Sequence, residues 1–261
     1  MTLDIQWRSG KVSHLRDVRP NREYEVDETG AAVEAPEPSP KPKPMFRDAS
    51  GLIQHTHVDE PFDDLERQPL LPRKLSQNGP GLVWVDLNGD GADDLIIGGG
   101  RHGLMRVMLN DGLGTFRLVK APAWAEPLSA DQAGLLAFSS SPRSITLLVG
   151  LSGYEIGLDQ LTNSVARYEI GPGGIDRADG LALPDVNVGP MALADFDGDG
   201  DLDLFVGGQA LPGRYPAATP SRIFRNERGT FVAAVDLNPV LAEVGLVNGA
   251  VWSDEIGRAH V

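Results

Sequence analysis

Along the first 28 residues apolar and polar side chains alternate: Leu3, Ile5 and Trp7, then Val12, then Tyr24 and Val26. A period of two predicts short half-buried strands, here broken by turn signals at Ser9-Gly10 and Pro20-Asn21. The pattern then stops. ETGAAVEAPEPSPKPKP, residues 28–44, is rich in proline and has no large apolar side chain beyond Val33. Such a stretch buries too little surface to offset its ordering entropy and reads as an extended linker. The expected organisation is a small β module over residues 1–30, a Pro-rich linker over 31–44, and a larger β region over 45–254.

From Met45 onward the apolar runs repeat. GLVWVD (81–86) returns as GPMALAD (189–195) and GAVWSD (249–254), and in degenerate form as GLLAFS (134–139) followed by ITLLVG (145–150). With Asp86, Ser139, Asp195 and Asp254 taken as equivalent, the period is about 55 residues and carries no helical patterning. That predicts an all-β chain with one antiparallel sheet per repeat, as in a β-propeller. The second halves agree: RVMLNDGLGTFRLV (106–119) and RIFRNERGTFVAA (222–234) each read as strand, turn at GTF, strand. Trp84 and Trp252 occupy equivalent repeat positions and are expected in the core, whereas Trp124, in APAWAEP, is less constrained and a candidate for exposure.

Two turns within this pattern carry chemistry: DLNGDGADDLIIGG (86–99) and DFDGDGDLDLFVGG (195–208). Counted from the first Asp, Asp86, Asn88, Asp90 and Asp94 fall at positions 1, 3, 5 and 9, as do Asp195, Asp197, Asp199 and Asp203; Gly91 and Gly200 fall at position 6. So many carboxylates in one tight turn repel one another unless a cation lies among them. Calcium takes about 6 to 8 oxygen ligands and accepts a mixture of carboxylate, amide, carbonyl and water oxygen. Glycine at position 6 permits the bend that turns the carbonyl at position 7 inward, which assigns Ala92 and Asp201 as backbone ligands. The expectation is two calcium sites. An EF-hand is excluded, because position 12 is Ile97 or Val206 within a β-like run, where that motif needs a bidentate Glu and a helix. The competing reading is a pair of solvated Asp/Gly turns. The degenerate copy at Ser139 has no carboxylates and should hold no metal.

Composition narrows the partners. The 261 residues carry a formal net charge of -14, which repels a phosphate backbone and argues against nucleic acid. Cysteine is absent, so disulfides and thiolate metal sites are excluded. No apolar stretch has the length of a membrane span.

Other candidates are weaker. In HTHVDEPFDDLERQPLLP (55–72), His55, His57 and Asp59 alternate, so an extended strand would place two imidazoles and a carboxylate on one face, in reach of a transition metal. The competing reading is a polar loop packed across the propeller mouth. GPGG (171–174) and GGGRHG (98–103) open no helix and lack the Walker lysine, and FSSSPRS (138–144) has no nucleophile-elbow pattern.

The acidic turns and GTF hairpins resemble the FG-GAP/VCBS repeats of integrin-type β-propellers, with the likeness covering about residues 45–254. The first module is similar to the last strands of an ASPIC/UnbV domain through WRSG (7–10) and NREYEV (21–26), although that family usually has Pro where this chain has Arg8. The resemblance implies a calcium-braced interaction or adhesion module of a secreted or surface-associated bacterial protein, extracellular or periplasmic, with an unidentified protein or glycan ligand and no catalytic role. It also implies a longer parent chain with an export signal upstream. The alternative is a carbohydrate-binding or carbohydrate-active propeller with a site near His55, His57 and Trp124. Asp254 stands where a third acidic turn should open. EIGRAHV (255–261) follows instead, a string encoded by a common sequencing adapter and read here as a non-native tail.

Overall fold

The computed structural model describes residues 1–33, 44–141 and 143–253. The chain divides into two compact units, Met1–Asp48 and Ala49–Val261. In the first, strands β1 (Leu3–Gln6) and β2 (Val12–Leu15) pair antiparallel with Leu3 opposite Leu15. Gly10, at φ 83°, makes the turn between them. Trp7 Nε1 donates to Ser13 Oγ (2.9 Å), and Ala32 adds a single bridge to Val12. The expected strand around Tyr24 and Val26 does not form. Asn21 turns into the left-handed region at φ 57°, and the Tyr24 hydroxyl accepts from the Arg19 amide (2.7 Å). Two apolar side chains with no facing apolar surface do not define a strand partner.

The second unit opens with two four-residue helices, α1 (Ser50–Ile53) and α2 (Asp64–Arg67). Three four-stranded antiparallel meanders follow, each an open sheet in chain order. The first comprises β3 (Leu82–Val85), β4 (Asp94–Ile97), β5 (Arg106–Asn110) and β6 (Phe116–Leu118). The second comprises β7 (Asp131–Ser141), β8 (Ser144–Ser152), β9 (Val165–Gly171) and β10 (Gly174–Leu181). The third comprises β11 (Val188–Ala194), β12 (Asp203–Gly208), β13 (Arg222–Glu227) and β14 (Thr230–Ala233), with helix α3 (Asn238–Leu241) after it. The first strands are neighbours: β7 lies against both β3 and β11. Among the described residues no helix is long and apolar enough to cross a membrane.

Side-chain alternation explains the stacking. On β8, Leu147 and Val149 join Ile96, Val107 and Tyr168 in one core between the first and second sheets. Leu148, on the other face, joins Val188, Leu204, Val206 and Phe224 in a second core between the second and third sheets. The middle sheet is therefore apolar on both faces, and its central strand reads as the unbroken run ITLLVGL. The outer sheets are less covered. On β3, Val83 and Val85 pack on the first core, while Leu82 and Trp84 lie on the far face.

This arrangement corrects three readings of tryptophan. Trp84 is 51% exposed, touching Phe116 edge-on at 6.0 Å, because its strand buries the alternate residues. Trp124 is only 5% exposed: a single 3-10 turn, Pro122–Trp124, folds it into the first core. Trp252 is half-buried, stacked flat on Phe196 at 5.9 Å.

The segment between α1 and β3 is a strap across the ends where the first strands begin. Leu71 and Leu75 pack with Tyr154 and Ala210 from the second and third sheets' connections. Arg67 donates to the carbonyls of Tyr154 and Glu155, and Gln68 exchanges two hydrogen bonds with the Tyr215 backbone, at 2.6 and 2.9 Å. Asp64, completely buried, accepts from the amides of Leu75 (2.7 Å) and Ser76 (3.0 Å) and from Ser76 Oγ (2.5 Å).

Candidate metal centres

The two acidic turns occupy the same place in their sheets. Val85 pairs with Asp94 and Ala194 with Asp203, so each turn joins the end of a first strand to the start of a second. Four of their internal hydrogen bonds recur position for position. Asp86 Oδ1 accepts from Gly89 N (2.7 Å) and Asp90 N (3.2 Å), and its Oδ2 accepts from Gly91 N (2.9 Å). Asp195 accepts in the same way from Gly198 (2.7 Å), Asp199 (3.1 Å) and Gly200 (3.1 Å). Asp90 Oδ1 takes the Ala92 amide, as Asp199 Oδ1 takes that of Asp201. Gly91 and Gly200 adopt φ 87° and 97°, a region that a Cβ disfavours.

Position 9 has a further role. Asp94 is completely buried and accepts from Leu87 N (2.9 Å) and Asn110 N (2.7 Å); Asp203, equally buried, accepts from Phe196 N (3.0 Å) and Asn226 N (2.8 Å). One carboxylate thus ties the turn to the third strand of the sheet. Asn110 and Asn226 complete the tie by donating to the carbonyls of Asp93 and Leu202, each at 3.0 Å. Sequence reasoning passed over these two asparagines. Their signal was the Asn shared by RVMLND and RIFRNE.

Electrostatics differ along each turn. The Gly91 amide, then those of Gly89 and Asp90, hold Asp86 below the usual carboxylate range. Burial pushes Asp94 and Asp203 upward, aided by the charges of Asp90 and Asp86 in one turn and of Asp197 and Asp199 in the other. A cation in the turn would reverse that repulsion. The donor set is all oxygen, and oxygens of Asp195, Asp197 and Asp203 lie within 4.8 Å of one another, the span of two calcium–oxygen bonds of about 2.4 Å. The set therefore fits a hard divalent ion. In the first turn Asn88 stands in for Asp197, and its Nδ2 donates to Asp90 Oδ2 (2.8 Å). The second turn also meets a cation of the protein's own: Arg225 Nε lies 3.4 Å from Asp197 Oδ2 while its guanidinium grips Asp236 through two bonds of 2.7 and 2.9 Å. In the middle sheet the corresponding hairpin closes at Ser141 opposite Ser144, without carboxylates. Asp254 lies outside the described residues.

Among the described residues, His55, His57 and Asp59 do not form a group with ligand atoms mutually within 4.8 Å. The two imidazoles meet edge-on at 6.3 Å, and burial, followed by the charges of His57 and Arg106, depresses the His55 pKa. Asp59 turns instead to Asp131, at the start of β7, and Glu155, just after β8, with oxygens of all three mutually within 4.8 Å. Alternation along an extended chain cannot reveal this group, whose other two members are more than 70 residues away. Among the described residues these two acidic clusters could each hold a metal ion.

Burial first, then Asp131, pushes Glu155 up to about 7; burial, then Asp59, pushes Asp131 up to about 6. An acid whose folded pKa is raised contributes stability that is present at low pH and lost as pH rises through that value. Ion-free protein should therefore be about 1 kcal/mol less stable at pH 8 than at pH 6.5. The depressed His55 acts in the opposite direction around its ordinary 6.5, and the lower part of this window carries the tail of that effect, which offsets part of the loss. Urea melts in a chelator check the sign, and stability that rises across the interval contradicts the burial of Glu155.

No protein-family model matches the chain, and no curated protein matches it in sequence.

Proposed function

We propose that residues 45–254 are part of a calcium-braced β-propeller of the FG-GAP/VCBS type, following an ASPIC/UnbV-like module, and that the chain serves as an interaction or adhesion module of a secreted or surface-associated bacterial protein. Calcium is structural in this reading, bound by Asp86, Asn88, Asp90, Asp94 and the Ala92 carbonyl, and by Asp195, Asp197, Asp199, Asp203 and the Asp201 carbonyl. The observation that carries it is the recurrence of the same four backbone-to-carboxylate bonds in the two turns, each set at the same register in its sheet. Stacked meanders with adjacent first strands support the propeller part. An ion that ties positions 1, 3 and 5 to the buried carboxylate at position 9 would stiffen the turn against the sheet, leaving the loops between strands to present a partner surface. The glycan alternative has lost its exposed indole, since Trp124 is buried. Hydrogen exchange with and without calcium tests the proposal: protection should rise at 86–94 and 195–203 and stay unchanged at 139–145. Equal exchange in both conditions rejects it.

A further inference from the structure

Three carboxylates from distant parts of the chain meet at the end of the sheets opposite the acidic turns. The first strands begin side by side there, with Gly81 N donating to Gln132 O (2.9 Å). Asp131 opens β7, Glu155 follows β8, and Asp59 arrives on the strap that precedes β3. Glu155 is 5% exposed; its buried Oε1 lacks a partner, as does buried Oδ1 of Asp59, while its Oε2 meets Arg101 Nε. A backbone without a Cβ lets Asp59 in: a side chain on Gly100 would meet Asp59 Oδ1 at 2.6 Å.

The protein's own cation does not balance the group. Arg101 Nε lies 2.9 Å from Glu155 Oε2, yet its Nη2 serves Glu60 at 3.0 Å, and its backbone amide donates to Asp131 Oδ1 (2.7 Å). Glu60 also takes His102 Nδ1 at 2.8 Å. One guanidinium is thus divided between Glu155 and Glu60, leaving Glu155 Oε1 and Asp59 Oδ1 buried without a donor, which is costly.

We propose that Asp59, Asp131 and Glu155 form a third site for a hard divalent cation, which clamps the strap to the second sheet. All-oxygen donors select calcium-like ions over thiophilic or imidazole-preferring metals. The site shares no residue with the acidic turns, so it stands or falls separately from the function proposed above.

Equilibrium dialysis of the full chain against calcium-45 at pH 8, carried to millimolar free ion, tests it. Parent protein should bind three ions. Asp59→Asn, outside the sheets, should bind one fewer, as should Glu155→Gln provided its circular dichroism is unchanged. The Asp90→Ala/Asp199→Ala pair should lose only the other two. Should the turns bind nothing, that pair will equal the parent while Asp59→Asn still loses an ion. Asp59→Asn binding as many ions as folded parent overturns the third site.

Discussion

Replacing Asp64 with alanine is expected to destabilise the second unit by about 4 kcal/mol, the largest effect of any single substitution considered for this chain. The carboxylate is completely buried and accepts three hydrogen bonds, from the amides of Leu75 and Ser76 and from the Ser76 hydroxyl. Those amides belong to the strap, where no strand offers them a carbonyl, so deletion leaves two buried backbone donors unsatisfied. Hydrogen bonds to an ionised acceptor contribute more than neutral ones. Its neighbour provides the control: Asp63 only caps the four-residue helix α2, through Leu65 N (3.0 Å) and Glu66 N (3.2 Å), and Asp63→Ala should cost no more than about 1 kcal/mol. Urea denaturation of both variants decides the matter. A loss below about 1 kcal/mol for Asp64→Ala means that the strap is not held by this carboxylate.

Asp203→Ala should cost about 3 kcal/mol even in a chelator, because Phe196 and Asn226 amides lose their acceptor in a buried setting. Asp94→Ala should behave alike through Leu87 and Asn110. Asp197→Ala differs in kind. Asp197 is exposed, and its contact among the described residues is the long ion pair to Arg225, so without calcium its loss should change stability by less than about 0.5 kcal/mol. With calcium present, Asp197→Ala should lose the stabilisation that the second turn gains from the ion, while the first turn keeps its share. Thermal melts with and without calcium separate the two roles. On this account position 9 would serve the fold first and the ion second, and position 3 mainly the ion. Equal losses at Asp203 and Asp197 in the chelator would contradict that division.

What could be read in advance followed from periodicity. An apolar run after each acidic turn and a shared GTF hairpin located the strands of the outer sheets, because strand pairing there is local and a repeat reports it twice. The middle sheet was legible only from its first two strands, GLLAFS and ITLLVG, since its hairpin replaces the acidic turn with Ser141 and Ser144. Exposure was less legible. Whether Trp84 or Trp124 is buried depends on which face of a sheet its neighbour covers, and alternation within one strand does not carry that. The regular placement of carboxylates in the turns follows from spacing, but the tie from Asp94 to Asn110 spans 16 residues and needs the fold. The cluster of Asp59, Asp131 and Glu155 was the least legible, as spacing offered only His55 and His57 as partners of Asp59 and only the strap's path brings Asp131 and Glu155 to it.

Calorimetric titration of the full chain with calcium, beside Asp90→Ala and Asp199→Ala, tests the central claim most directly. The account predicts that each substitution abolishes binding at its own turn and leaves the other turn's binding intact. Folded protein whose binding is the same in parent and both variants would contradict it, and the acidic turns would then be solvated connections held by their own backbone amides.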